Sequence, residues 1–72
     1  MAQFCERLKQ LRKERGLKQR EAAEIFHLAL SSYQCYEYAS RYPDFQGLIA
    51  IADFFDVSLD YLVGRSDIRE RR

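Results

Sequence analysis

Residues 19–38 run QREAAEIFHLALSSYQCYEY, and this stretch decides the fold. From Gln19 to Phe26 the apolar residues Ala22, Ala23, Ile25 and Phe26 gather on one side, which predicts a helix with those four turned inward. The chain then breaks for three residues, His27-Leu28-Ala29. Leu30 to Tyr38 predict a second helix, with Ser31 and Ser32 near its start and Tyr33 and Tyr36 on a shared face. Two short helices across so short a break form a helix-turn-helix pattern. The tight turn forces the axes to cross steeply, so the second helix projects from the surface in the way that fits a DNA major groove. Tight helix pairs also occur in other all-α proteins, so the flanking sequence has to agree.

Upstream, Phe4, Leu8 and Leu11 recur at helical spacing between basic residues and predict an amphipathic helix over about 3–15, closed by Gly16. Lys18, at the start of the 19–26 helix, is a poor capping residue, so that start reads as weak. Downstream, Arg41-Tyr42-Pro43-Asp44 reads as a loop, because the residue before proline is pushed out of helical geometry. Leu48, Ile51, Ala52 and Phe55 mark a fourth helix over about 45–55, and Ser58 caps a short fifth helix that Gly64 ends. No period-two alternation or hairpin turn signals a strand. The expectation is all-α: a compact five-helix domain over 1–67 with the helix-turn-helix at about 19–38, and a basic tail, 68–72, that frays.

At 72 residues, 47% hydrophobic and 32% charged, the composition is that of one globular domain. No apolar run approaches a membrane span and no signal-peptide pattern follows Met1, so a cytoplasmic protein with no membrane partner is expected. Cys5 and Cys35 form neither a CxxC pair nor a disulfide framework, and one histidine leaves no metal-ligand spacing. No cofactor is implied. No nucleophile–base constellation is present, and so short a chain encloses no substrate; an enzyme is not expected. The net charge of +1 conceals an uneven distribution. Residues 1–20 balance at +5, residues 21–64 at −6 and residues 65–72 at +2, so one surface is able to be basic while the molecule is nearly neutral. Simple solvation of helix faces accounts for such charges equally well.

Three stretches, RLKQLRKERGLKQREAAEIF, YQCYEYASRYPD and LIAIADFFDVSLDYLVG, together resemble the lambda-repressor/Cro (XRE) helix-turn-helix DNA-binding family over residues 4–67. The signposts are Leu8 with Arg12, Gly16-Leu17, Gln19 before Ala23, Glu37, Arg41 with Pro43, and Val57-Ser58-Leu59-Asp60-Tyr61-Leu62. The resemblance implies a sequence-specific double-stranded DNA-binding transcriptional regulator, a repressor of bacterial or phage origin. It implies a homodimer, formed in solution or on DNA, and no small-molecule effector is inferred. It also implies a structural ion pair between Arg12 and Glu37. Phosphate contacts fall on Lys18, Gln19 and Arg20, base-reading positions on Leu30, Ser31, Gln34 and Cys35, and a backbone-proximal position on Ser32. Tyr38, Ser40, Arg41 and Tyr42 fall on the loop that flanks the phosphate backbone.

The chemistry of those residues fits the implied roles. A helix N-terminus offers unpaired N–H donors to a phosphate. A glutamine pairs with adenine N6 and N7, and a leucine meets a thymine methyl. Three departures stand out. His27 occupies the family's turn glycine and is expected to bear left-handed strain, Ala29 replaces a capping Ser or Thr, and Tyr38-Ala39 replaces a frequent Asn-Gly. Residues 30–38 contain no Arg or Lys, so bidentate guanine readout by this helix is not available. Cys35 reads three ways: a small groove contact, a partly buried residue, or an oxidant sensor. The uncharged reading helix and the acidic middle segment keep open an alternative, a helix-turn-helix used mainly for protein–protein interaction.

Overall fold

The computed structural model describes residues 3–71, so Met1 and Ala2 of the expected domain and Arg72 of the expected tail lie outside it. Five helices follow in chain order: α1 Phe4–Glu14, α2 Gln19–Ile25, α3 Leu30–Glu37, α4 Phe45–Phe55 and α5 Leu59–Leu62. No strand occurs among the described residues. The helix-turn-helix stands where the sequence placed it, with α2 and α3 each one residue shorter than the expectation.

The core is built from the stripes that the spacing marked. Phe4, Leu8 and Leu11 of α1 meet Ala22 and Ala23 of α2, Tyr33 of α3, Ile51, Ala52 and Phe55 of α4, and Val57, Tyr61 and Leu62 around α5. Small alanines on α2 let neighbouring helices approach closely, and Phe26 closes the gap by packing edge-on against Phe54 and Phe55. Ile25 departs from the expectation: it is exposed, because the helix ends there and Phe26, not Ile25, turns onto the core.

Each helix end has an identifiable device. The start of α2 has no side-chain cap from Lys18; instead Glu21 reaches back and accepts from the Lys18 N–H at 2.8 Å. Asp44 accepts from Gly47 N and Ser58 from Tyr61 N, so α4 and α5 begin on ordinary caps. The α2–α3 turn closes with His27 in the left-handed region at φ 57°, and the end of α3 with Ala39 at φ 62°.

The segment after Gly64, for whose residues 68–72 the sequence suggests a frayed tail, lies back along the fold as far as Arg71. The Ser58 N–H donates to the Arg69 carbonyl at 2.8 Å and the Ser58 hydroxyl to the Ile68 carbonyl at 3.0 Å. Asp67, Arg69 and Arg71, alternate residues of an extended strap, pair with Arg7, Glu14 and Asp53 respectively. Composition suggested a loose basic tail because its acidic partners lie up to 55 positions away in sequence.

Candidate nucleic-acid interface

The interface begins with a chain of polar side chains that fixes α1, α2 and α3 to one another. Arg12 Nε donates to Glu37 Oε2 at 2.6 Å and a second guanidinium nitrogen to Oε1 at 3.2 Å; its third nitrogen donates to the Leu17 carbonyl at 2.8 Å. This is the ion pair that the resemblance implied. The Glu37 side chain is fully buried. Burial works to raise its carboxyl, but the Arg12 fork, then Tyr33 and Gln19, outweigh that and hold it below the ordinary carboxylate range. Arg12 is correspondingly raised, first by its hydrogen bonds to Glu37. The buried Tyr33 hydroxyl is pushed up by burial and then by Glu37; it lies near the carboxylate, yet its geometry falls short of a hydrogen bond among the described residues.

The chain continues outward. Gln19 Nε2 donates to Glu37 Oε1 at 3.1 Å, and Gln34 Nε2 donates to Gln19 Oε1 at 3.0 Å. An ionised carboxylate only accepts, so it dictates the orientation of Gln19, which in turn dictates that of Gln34. Gln34 spends one amide hydrogen on Gln19. Its Oε1 and second N–H have no partner among the described residues. That remaining edge, one acceptor beside one donor, matches the N6 donor and N7 acceptor of adenine.

The other expected contact residues fall into three places. Lys18, Arg20 and Leu30 line one shallow surface cleft with Gln19 and Glu21, so two cations flank the N-terminal end of α3. Ser31 is exposed on the first turn of α3, while Ser32, Gln34 and Cys35 are half-buried. Tyr38, Ser40 and Arg41 are all exposed past the C-terminal end of α3. There the Cys35 carbonyl accepts from Ser40 N at 3.0 Å, Arg41 N at 3.3 Å and the Ser40 hydroxyl at 3.3 Å. Ser40 thus closes the helix, and Arg41 stands at the opposite end of α3 from Lys18 and Arg20.

Two features escaped the sequence reading. Gln19 was assigned to phosphate; its side chain is committed at both ends to Glu37 and Gln34, leaving its backbone N–H for an anion. Glu21 was assigned no role and caps α2; the Lys18-to-Glu21 spacing of a capping box was the available signal. Tyr42 packs its ring 6.1 Å from that of Phe4, which fixes the loop against α1.

With this geometry in view, similarity to known proteins becomes informative. A helix-turn-helix family model matches residues 8–62. The chain is 42% identical over 64 residues to YobD of Bacillus subtilis strain 168, an uncharacterized HTH-type transcriptional regulator, covering 89% of this chain and 57% of that protein. It is 37% identical over 60 residues to RstR, the cryptic phage CTXphi transcriptional repressor of Vibrio cholerae, covering 83% of this chain and 54% of that one. A crystal structure of a transcriptional regulator from Listeria innocua matches with a TM-score of 0.81 and 39% identity, over 86% of this chain and 58% of that one. The chain therefore spans somewhat more than half the length of these relatives. Its matched stretch, its helix order and its Arg12–Glu37 pair lead to one assignment: the chain belongs to the lambda-repressor/Cro-like (XRE-type) helix-turn-helix family.

Proposed function

We propose that this chain is a sequence-specific double-stranded DNA-binding transcriptional regulator of the cytoplasm, acting as a repressor by occupying its site and excluding polymerase. The observation that carries the reading is the Arg12–Glu37–Gln19–Gln34 chain, which holds the exposed edge of Gln34 in one polarity. A side chain so braced loses little rotamer freedom on meeting a base, which favours discrimination. In this reading α3 lies in the major groove, with Leu30, Ser31, Gln34 and Cys35 toward base edges and Ser32 near the backbone. Lys18 and Arg20, with the free N–H groups at the start of α2, hold one phosphate stretch. Tyr38, Ser40 and Arg41 hold the other.

An eight-residue helix rises only about 12 Å and meets few base pairs. Useful specificity needs two such helices roughly 34 Å apart, so the acting species is a homodimer, assembled in solution or on the operator. The test is a fluorescence-anisotropy titration against DNA upstream of the chain's own gene, beside a scrambled duplex and the Gln34→Ala variant. Tighter binding to the upstream fragment, lost in Gln34→Ala, supports the reading. Equal binding to both duplexes removes sequence readout and transfers the surface to a protein partner.

A further inference from the structure

The amide of Gln34 points one way round because its neighbours compel it. A neutral glutamine in isolation presents its oxygen and its NH2 group in either order. Inside this fold the order is imposed from the core outward. Glu37, paired with Arg12, is an ionised acceptor, so Gln19 must turn its Nε2 toward Glu37 and its Oε1 outward. That oxygen accepts from Gln34 Nε2 at 3.0 Å, which commits one of the two amide hydrogens of Gln34. Turning the Gln34 amide over would set two oxygens against each other and break the bond.

What remains outward is one acceptor, Oε1, beside one donor, the second hydrogen of Nε2. Of the four bases only adenine answers both. Guanine presents two acceptors, N7 and O6, and needs two donors from its reader, one more than Gln34 has left. Cytosine presents a donor alone, and thymine an acceptor beside a methyl group. The inner chain thus does more than hold Gln34 still, since it removes guanine from what Gln34 is able to read. Residues 30–38 hold no second amide and no cation, so a lost Gln34 contact has no substitute on the helix.

Given the DNA reading above, on which this rests, we propose that the Gln34 site senses adenine methylation: it accepts DNA whose adenine N6 is unmodified and rejects DNA whose N6 carries a methyl group. Adenine N6 has two hydrogens. One pairs with thymine, and the other faces the major groove, where Gln34 Oε1 takes it. A methyl group that leaves the base pair intact occupies the groove-facing position. An oxygen placed about 3 Å from N6 to accept a hydrogen bond then meets a methyl carbon in that space. The clash is joined by a second loss, because an acceptor taken out of water and left without a donor is costly. An unbraced glutamine would turn aside. Gln34 turns aside only by breaking its bond to Gln19, so the same chain that fixes adenine as the readable base makes the methyl group intolerable.

The experiment begins with a random-sequence duplex pool, from which the full chain selects its site. The selected duplex is remade with N6-methyladenine at each adenine in turn, and binding is read by fluorescence anisotropy for wild type, Gln34→Ala and Gln19→Ala. Methylation of at least one adenine should weaken wild-type binding by at least about tenfold. Gln34→Ala, read at low salt where phosphate contacts keep it bound, should bind the methylated and unmethylated duplexes alike. Gln19→Ala should show a smaller methyl penalty than wild type, because its Gln34 is free to turn aside. A selected site bound equally well whichever adenine is methylated, or a penalty that persists in Gln34→Ala, overturns the sensing of methylation. A penalty undiminished in Gln19→Ala overturns the part played by the inner chain. A pool that yields no enriched sequence overturns the DNA reading itself, which separates that failure from the others.

Discussion

Arg12 and Glu37, 25 positions apart, are joined by two hydrogen bonds of 2.6 and 3.2 Å between a nearly buried guanidinium and a fully buried carboxylate. Removing one partner of a buried pair leaves the other charge uncompensated, at a cost of about 3–5 kcal/mol. In a domain of this size each kcal/mol moves the melting temperature by about 4–8 °C. Glu37→Gln should therefore lower the melt by more than about 10 °C, read by circular dichroism. A melt within a degree or two of wild type would remove the pair from the account of stability.

The same carboxyl sets an acid limit. Glu37 titrates below the ordinary carboxylate value in the folded chain, so through that window the unfolded chain binds more protons than the native one. The stabilisation is complete above the unfolded value of about 4.3 and is lost as pH falls through the lower folded value. Glu14 is held low too, first by its hydrogen bonds from Arg69, and adds the strap to the same acid loss. Melts recorded from neutral pH downward should show the gap between wild type and Glu37→Gln narrowing below about pH 4. A gap that is constant across the series would mean that Glu37 ionisation contributes nothing.

The helix order was legible in local periodicity, whereas the Arg12–Glu37 pair was legible only through the resemblance. The strap was not legible, since a run of arginines reads as solvated until Glu14, Asp53 and Asp56 are brought alongside by the fold. Ile25 misled for a related reason: its helical position is apolar, but the helix stops there and the turn presents Phe26 to the core instead. Gln19 entered only through the resemblance, as a phosphate contact, and its side-chain bonds to Glu37 and Gln34 were not part of that reading. Its bond to Glu37 exists only because α2 and α3 cross at that point.

Strain at two non-glycine turn residues is measurable. Left-handed geometry costs an L-residue with a Cβ about 1–2 kcal/mol, part of which glycine gives back through its freer unfolded chain. Ala39, at φ 62°, should gain about 0.5–1 kcal/mol on substitution by glycine, a rise of several degrees in the melt. His27, at φ 57°, belongs to a residue type that tolerates this region better, so His27→Gly should gain less. The reverse order, or a loss in Ala39→Gly, would show that the alanine methyl makes a contact worth more than the strain.

Phosphate contacts should be few. With cations at Lys18, Arg20 and Arg41 and none on α3, the proposed binding mode would neutralise about three phosphates per protomer. The logarithm of affinity should then fall with the logarithm of salt at a slope of about −3 per protomer. Alanine at any one of the three should flatten the slope by about one, with little change in preference among sequences. An unaltered slope in all three variants would place the backbone contacts elsewhere.

Gln19 and Gln34 should behave as one unit in recognition. Gln34→Ala removes the adenine-matching edge, and loss of a good bidentate pair costs about 1–3 kcal/mol of discrimination. Gln19→Ala leaves that edge chemically intact but releases its brace, so discrimination should fall by a smaller amount. Glu37 also loses one of its hydrogen bonds in that variant, which predicts a modest drop in the melt. The double variant should be little worse than Gln34→Ala alone, because a brace has no value once the edge is gone. A double-mutant cycle on operator binding should therefore return a coupling of about 0.5–3 kcal/mol. Additive losses would mean that Gln19 meets the DNA independently of Gln34, and that the hydrogen bond between them serves only to hold α2 against α3.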